Sequence, residues 1–251
     1  MLLLLPPSES KTPGGEGPPV DLDRLALPSL TPVRHGVLRA IRDLSRDEEN
    51  AIRTLKLGAR QRGQVRVNAE VLSAATRPAV LRYTGVLYDA LDAASLDDAA
   101  SSFLDEHVLI HTACLGPVRA CDPIPDYRLG PGVRLPTLPT PRRLWADAVT
   151  TAFRAHGPTL VVDLRSEAYV ALGPVPADVS SVYVRVLAED GAGRRRALNH
   201  FNKAAKGHLT RALARQRPEL AEPADLYRWA ERAGIRLTPA EHEAGEAHLL
   251  V

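Results

Sequence analysis

Three ionisable groups fall within five residues in Asp163-Leu-Arg165-Ser-Glu167, and Tyr169 follows two positions later. The preceding run Thr159-Leu-Val-Val162 reads as a buried strand, and ligands of α/β sheets bind just beyond strand ends. A helix opening at this point would favour an anion. The same residues fit a structural Asp–Arg pair beside a helix cap, so the stretch by itself leaves both readings open. A second group, Ser8-Glu9-Ser10-Lys11, sits behind Leu2–Leu5 and two prolines. An amine beside a carboxylate suits nucleophilic or acid–base work.

The strongest charge signal lies between Gly193 and Arg217, where Arg194, Arg195, Arg196, Lys203, Lys206, Arg211, Arg215 and Arg217 occur without an acidic residue. At ~100° per residue, Phe201, Ala205, Leu209 and Ala212 fall on one side of a helix, with Asn199, Lys203, Lys206 and Thr210 on the other. A solvated basic face is the ordinary reading of such a run. Here there are no acidic partners to form intrahelical pairs, so an anionic ligand is expected, and Gly207 would let a phosphate or another backbone approach closely. In Pro125-Asp-Tyr127-Arg128-Leu-Gly-Pro-Gly132, Tyr127 is suited to stacking on a base and Arg128 to clamping a phosphate. Packing in a proline-rich loop is the alternative.

Other chemistries leave no trace. His107 and His111 have i, i+4 spacing, but no HExxH motif accompanies them, and there is no Walker loop, Rossmann fingerprint or G-x-S-x-G elbow. No metal and no cofactor is expected. Cys114 and Cys121, seven apart, match neither a zinc ribbon nor a disulfide framework and read as reduced thiols in a cytoplasmic protein, with a disulfide as the alternative. A net charge of +2 does not by itself argue for nucleic acid. The leucine run is far shorter than the ~20 apolar residues that span a bilayer, so no membrane association is expected.

The elements that must position these groups follow from periodicity and punctuation. Leu2–Leu5 reads as a buried strand ended by Pro6 and Pro7. Two helices are expected over 33–57, the second with Ser45 and Glu48 as a capping box and Gly58 as its end. Residues 64–67 alternate like an edge strand. A turn or short strand with Gly85 as hinge leads into a helix by residue 94, and a helix over 96–106 precedes a strand over 108–113. The stretch 114–136 reads as a long loop, and loops of that length are usually functional. Helices are expected over 142–155, ended by Gly157, in a short segment capped by Ser166, over 199–216 and over 224–233, closed by Gly234. A hairpin turning at Asp190 and Gly191 feeds the third of these, and His248–Val251 reads as a last strand. The class expected is α+β (mixed α/β): a single compact domain over 1–251 with a mixed central sheet flanked by helices.

PPSESKT, YTGVLYDAL, DYRLGPG, VDLRSEAY and NHFNKAAKG, in that order over nearly the whole chain, resemble the motifs of the YaaA family of bacterial peroxide-stress proteins. The resemblance implies a cytoplasmic bacterial protein with a positively charged cleft that binds double-stranded DNA and limits oxidative damage to it, with an effect on free iron. It also implies a helix-hairpin-helix-like element, for which YTGVLYDAL and Leu115–Arg119 are the positions available. By motif, Lys11, Tyr127, Arg128, Glu167, Tyr169, Lys203, Lys206 and Gly207 take the family's site positions, with Lys206 where arginine is frequent.

Two functions are therefore expected in competition. In the first, Lys11, Tyr127, Arg128, Arg165, Tyr169, Lys203, Lys206, Gly207 and Arg211 form a DNA-binding surface, with backbone phosphates held by its cations. In the second, the protein is an enzyme acting on a nucleotide, a damaged base or another phosphorylated small molecule. Its catalytic groups would be Lys11 and Glu9 with Asp163 or Glu167 as base, because carboxylates are not needed for phosphate binding.

Overall fold

A computed structural model describes residues 1–189, 195–197 and 201–251. The expected turn at Asp190 and Gly191, together with Arg194, Asn199 and the side chains of Arg195 and Arg196, lies outside the described residues. Ten strands are present among those residues: β1 Leu2–Leu5, β2 Arg77–Pro78, β3 Val108–Thr112, β4 Gly116–Arg119, β5 Pro123–Ile124, β6 Val161–Asp163, β7 Ser181–Glu189, β8 Arg195–Ala197, β9 Leu237–Pro239 and β10 Glu246–Leu250. The helices are α1 Thr31–Leu44, α2 Glu48–Leu55, α3 Gln64–Ala69, α4 Ala79–Arg82, α5 Val86–Leu91, α6 Asp98–His107, α7 Pro141–His156, α8 Glu167–Val170, α9 Phe201–Gln216 and α10 Pro223–Arg232.

The main sheet has eight strands in the order β4-β3-β1-β6-β7-β10-β9, with β8 paired to β7. Strand β1 lies in its middle, parallel to β3 through Leu4↔Leu109 and to β6 through Leu4↔Asp163. All four of its leucines are buried, as an apolar strand covered on both faces requires. Pro6 has no N–H to continue the ladder, so the chain leaves the sheet there. Strands β7 and β10 extend the parallel part, while β4 and β9 close the edges in antiparallel pairing. The mixed sheet flanked by helices is the architecture expected, and one contiguous apolar core runs from Leu2 to Leu249.

Several local expectations are corrected. Residues 64–67 are helical, in α3, because Val65 and Asn68, three apart, are both buried where the helix packs on α1. Four alternating residues were too few to separate the two periods. The stretch 114–136 is not all loop, since it carries β4 and β5. Ser45 does not cap α2; its hydroxyl donates to the Ile41 carbonyl at 2.8 Å and closes α1. Asp47 caps α2 instead, accepting from the Asn50 amide at 3.1 Å, and α2 ends on Lys56 at φ 56° rather than on Gly58. Ser166 precedes α8 but makes no side-chain cap bond. The helix-hairpin-helix-like element is not borne out. Leu115–Arg119 falls largely on β4, and Tyr83–Leu91 supplies a turn and the six-residue α5.

Helix α9 departs furthest from its expected role. Lys206 and Thr210, placed opposite the apolar side and expected to face an anionic ligand, are 5% and 0% exposed, because α9 is covered on one side by α5 and on another by β7. Gly207 marks the crossing with α5: a Cβ there would overlap the Leu87 carbonyl oxygen and stand 2.8 Å from the Ala90 Cβ. Of the two expected uses of Gly207, close backbone approach is therefore the one observed, and a phosphate has no access to that side. Gly207→Ala should destabilise the protein by about 1–3 kcal/mol through overpacking, against a helix-propensity gain of about 1 kcal/mol. The midpoint of urea unfolding measures the net loss.

Candidate functional site

Successive connections diverge between β1 and β6: the chain leaving β1 travels toward β3, and the chain leaving β6 travels to β7 on the opposite side. Adjacent parallel strands whose connections part in this way leave a crevice beyond their carboxyl ends. It is occupied here by a cleft of about 770 Å³, walled by Pro6–Ser10 after β1, Leu164 and residues 166–169 after β6, the opening of α5, Tyr183 and Arg185 of β7, and Asn202, Lys203 and Lys206 of α9. That volume is within the ~300–1,000 Å³ of small-ligand sites. Beside it, sharing Pro7, Ser8, Glu9 and Tyr169 as walls, is a recess of about 20 Å³ that also touches Lys11, Tyr127 and Arg128.

Lys206 reaches the cleft from α9. Its Nζ donates one long bond, 3.4 Å, to the Arg165 carbonyl and lies 5.6 Å from the centre of the Tyr183 ring. Burial pushes its pKa down to about 8, opposed by Asp163 and assisted by Arg185. Lys203 is exposed on the cleft wall. Glu167, the first residue of α8, is exposed and 3.5 Å from Arg185, which is itself held at 2.7 Å by Glu246. The lining therefore mixes Lys203, Lys206 and Arg185 with Glu9 and Glu167.

Lys11 is placed by an antiparallel bridge to Tyr83 and by Arg82, whose guanidinium donates to the Thr12 and Gly14 carbonyls at 2.5 and 2.6 Å. Its Nζ donates to the Glu9 carbonyl at 3.3 Å and lies over the Tyr127 ring, 4.5 Å from the centroid. Burial lowers its pKa to about 8; Arg128 lowers it as well, while Asp126, Cys114 and Glu9 pull the other way.

The remaining expected residues are committed elsewhere. Arg165 is fully buried: it holds both Asp163 oxygens at 2.9 and 2.6 Å, donates to Nδ1 of His111 at 2.7 Å and to the Gly173 carbonyl at 2.8 Å. With Nδ1 accepting, His111 is neutral, its pKa driven well below the usual value by burial and by Arg165. Arg165 has no free donor edge for DNA, and Asp163, closed off by that pair and by the Arg165 amide at 3.0 Å, is not placed to act as a base. Asp163 and Arg165 thus form the structural pair, while Glu167 and Tyr169 of the same stretch line the cleft. Tyr127 is 2% exposed with its hydroxyl 2.7 Å from that of Tyr83, so it cannot stack on a base. Arg128 pairs with Glu9 at 2.8 Å, and its backbone N–H and carbonyl exchange hydrogen bonds with the side-chain amide of Asn68. Arg211 donates to the Leu91 and Asp92 carbonyls, both at 2.8 Å, and so fastens α9 to the end of α5. Tyr169 stands in the wall between cleft and recess, its hydroxyl kept protonated by burial.

Tyr183 and Arg185 were not anticipated. The signal was available in the alternation of Ser181–Val186, where Val182, Val184 and Val186 are buried and Tyr183 and Arg185 lie between them. Both thiols are free. Burial raises Cys114 to about 12 and Cys121 to about 11, so neither is a thiolate at neutral pH. Among the described residues no group of three or more His, Cys, Asp or Glu could hold a metal, and no helix is long and apolar enough to cross a membrane.

Comparison with known proteins agrees with the motif order. A UPF0246 protein of Corynebacterium efficiens is 45% identical over 237 residues, covering 92% of this chain and 93% of that protein. A UPF0246 protein of Streptomyces coelicolor is 43% identical over 230 residues, covering 90% and 87% respectively. The sequence model described as peroxide stress protein YaaA matches residues 1–240, and the chain belongs to that family.

Proposed function

We propose that the cleft binds a phosphorylated ligand of nucleotide size, and that the protein's part in peroxide stress runs through that ligand. One observation carries the reading. Of the cations expected to form a DNA footprint, Arg128, Arg165 and Arg211 are engaged with protein groups, whereas Lys203 and Lys206 face a bounded cavity at the strand ends. Among the described residues Lys206 makes a single long hydrogen bond, which leaves donors for an incoming oxyanion. The aromatic ring of Tyr183 beside it offers a face for a base.

A second reading, sequence-independent contact with duplex DNA, has its own support. Lys203 is exposed on the cleft wall, and Arg215 is exposed two turns or more further along α9 without an acidic partner among the described residues. Such contacts would weaken steeply with salt.

Calorimetric titration with adenosine monophosphate and with a 20-base-pair duplex separates the two. Nucleotide binding should fall at least tenfold in Lys203→Glu, the loss expected for one charge-assisted contact. Duplex binding with a steep salt slope, and no nucleotide binding at millimolar concentration, would replace the proposal with the DNA reading.

A further inference from the structure

Of the 32 lysines and arginines in this chain only four are lysines: Lys11, Lys56, Lys203 and Lys206. Three of the four line the cleft or its recess, and only Lys56 stands apart on the surface. Every structural cation described above, Arg82, Arg128, Arg165, Arg185 and Arg211, is an arginine. Where charge and directed hydrogen bonds suffice, this protein uses a guanidinium. What a lysine offers in addition is an amine that can lose its proton and act as a nucleophile.

Lys11 has the geometry for that role. It is held between the Tyr127 and Tyr83 rings, 4.5 and 5.6 Å from their centroids, with one hydrogen bond to the Glu9 carbonyl. No carboxylate pairs with it among the described residues, and Glu9, the nearest in sequence, is turned to Arg128. The free volume at the recess, about 20 Å³, is enough for one water-sized group. Its walls are shared with the cleft, so a ligand with its phosphate near Lys203 and Lys206 can direct a small polar group into it.

We infer that Lys11 captures an aldehyde or ketone of a phosphorylated ligand as an imine, a step that rests on the cleft being the phosphate site. Nζ adds to the carbonyl carbon, forming a C–N bond. The carbonyl oxygen then leaves as water with the two protons of the amine, giving C=N with no change of oxidation level. The lowered pKa of Lys11, set by burial and Arg128 against Asp126, Cys114 and Glu9, leaves a usable fraction of neutral amine near pH 7.

With four lysines the test is clean. The intact protein is incubated at pH 7 with 2-deoxyribose 5-phosphate and cyanoborohydride, and the reduced adduct is located by peptide mass spectrometry. Labelling of Lys11 should exceed that of exposed Lys56 at least tenfold and should vanish from residue 11 in Lys11→Arg. Equal labelling of Lys11 and Lys56, or labelling centred on Lys203 or Lys206, overturns the inference. The wild-type protein keeps the result decisive if Lys11→Arg does not fold. Adenosine monophosphate binding without a Lys11 adduct would sink the amine role and leave the cleft reading standing. Selective Lys11 labelling by unphosphorylated glyceraldehyde, in a protein that binds no nucleotide, would do the reverse.

Discussion

Arg165→Met is expected to cost about 3–5 kcal/mol of folding stability, the usual loss when one partner of a buried ion pair is removed. The substitution strands the Asp163 carboxylate, 5% exposed at its side chain, together with Nδ1 of His111 and the Gly173 carbonyl. Domains of ordinary stability have about 5–15 kcal/mol in hand, so a substantial part of the fold's margin would go. Equilibrium unfolding in urea measures the loss. Asp163→Leu combined with Arg165→Met should recover part of it, because the penalty comes mainly from the unpaired charge. A cost below about 1 kcal/mol for the single variant would show that Asp163 is not desolvated as the geometry requires.

Stability should rise, not fall, as pH increases from 8 to about 9. Lys11 and Lys206 have folded pKa values of about 8 against an ordinary 10.5. Below pH 8 both states carry the proton and the fold bears the cost of burying two ammonium groups. Between 8 and 10.5 the folded state has released lysine protons that the unfolded chain still binds, so the lysine contribution to the slope of unfolding free energy with pH is positive. The displacement corresponds to about 3 kcal/mol for each lysine at most, of which about 2 kcal/mol appears between pH 8 and 10. Above about pH 9 the sign reverses. Burial holds the Cys114 and Cys121 thiols protonated, at about 12 and 11 against an ordinary 9, and Tyr83, Tyr88 and Tyr127 well above 10, so the unfolded chain then loses protons that the fold keeps. Chemical denaturation across pH 7–11 should show the maximum. Lys206→Met should be more stable than the parent at pH 7 and should lose most of the rise.

The sheet core was legible because its signals were strong and local. Leu2–Leu5 before two prolines, Val108–Thr112 and Val161–Asp163 are apolar runs of strand length, and they became neighbouring central strands. What one chain position meets across the fold was not legible. Lys206 and Gly207 lie on the side that a helical wheel sets opposite the apolar residues, and α5, far upstream in the chain, and β7 cover them. Arg165 and Arg128 carry the same charge as Lys203 in the sequence, yet Asp163 and Glu9 occupy them. The segments after β1 and β6 that the motifs singled out line one cleft, while whether each cation meets a ligand or a protein group depended on partners near it, as Asp163 is to Arg165, and far from it, as Glu9 is to Arg128.

The central position of β1 also sets an order of events. Leu3 pairs with Val108 and Leu2 with Val161, so β1 has no neighbour until on the order of 105 residues have followed it and lacks the second until on the order of 160 have. At about 5–20 residues per second these are waits of roughly 5–20 s and 8–30 s. Until then its four leucines lack a sheet on both sides, and contacts of such high sequence separation form slowly even afterwards. The loop that carries Lys11 is attached to that strand. The growing chain thus carries an uncovered apolar segment next to the loop that lines the cleft, and the cleft is among the last parts of the molecule to exist.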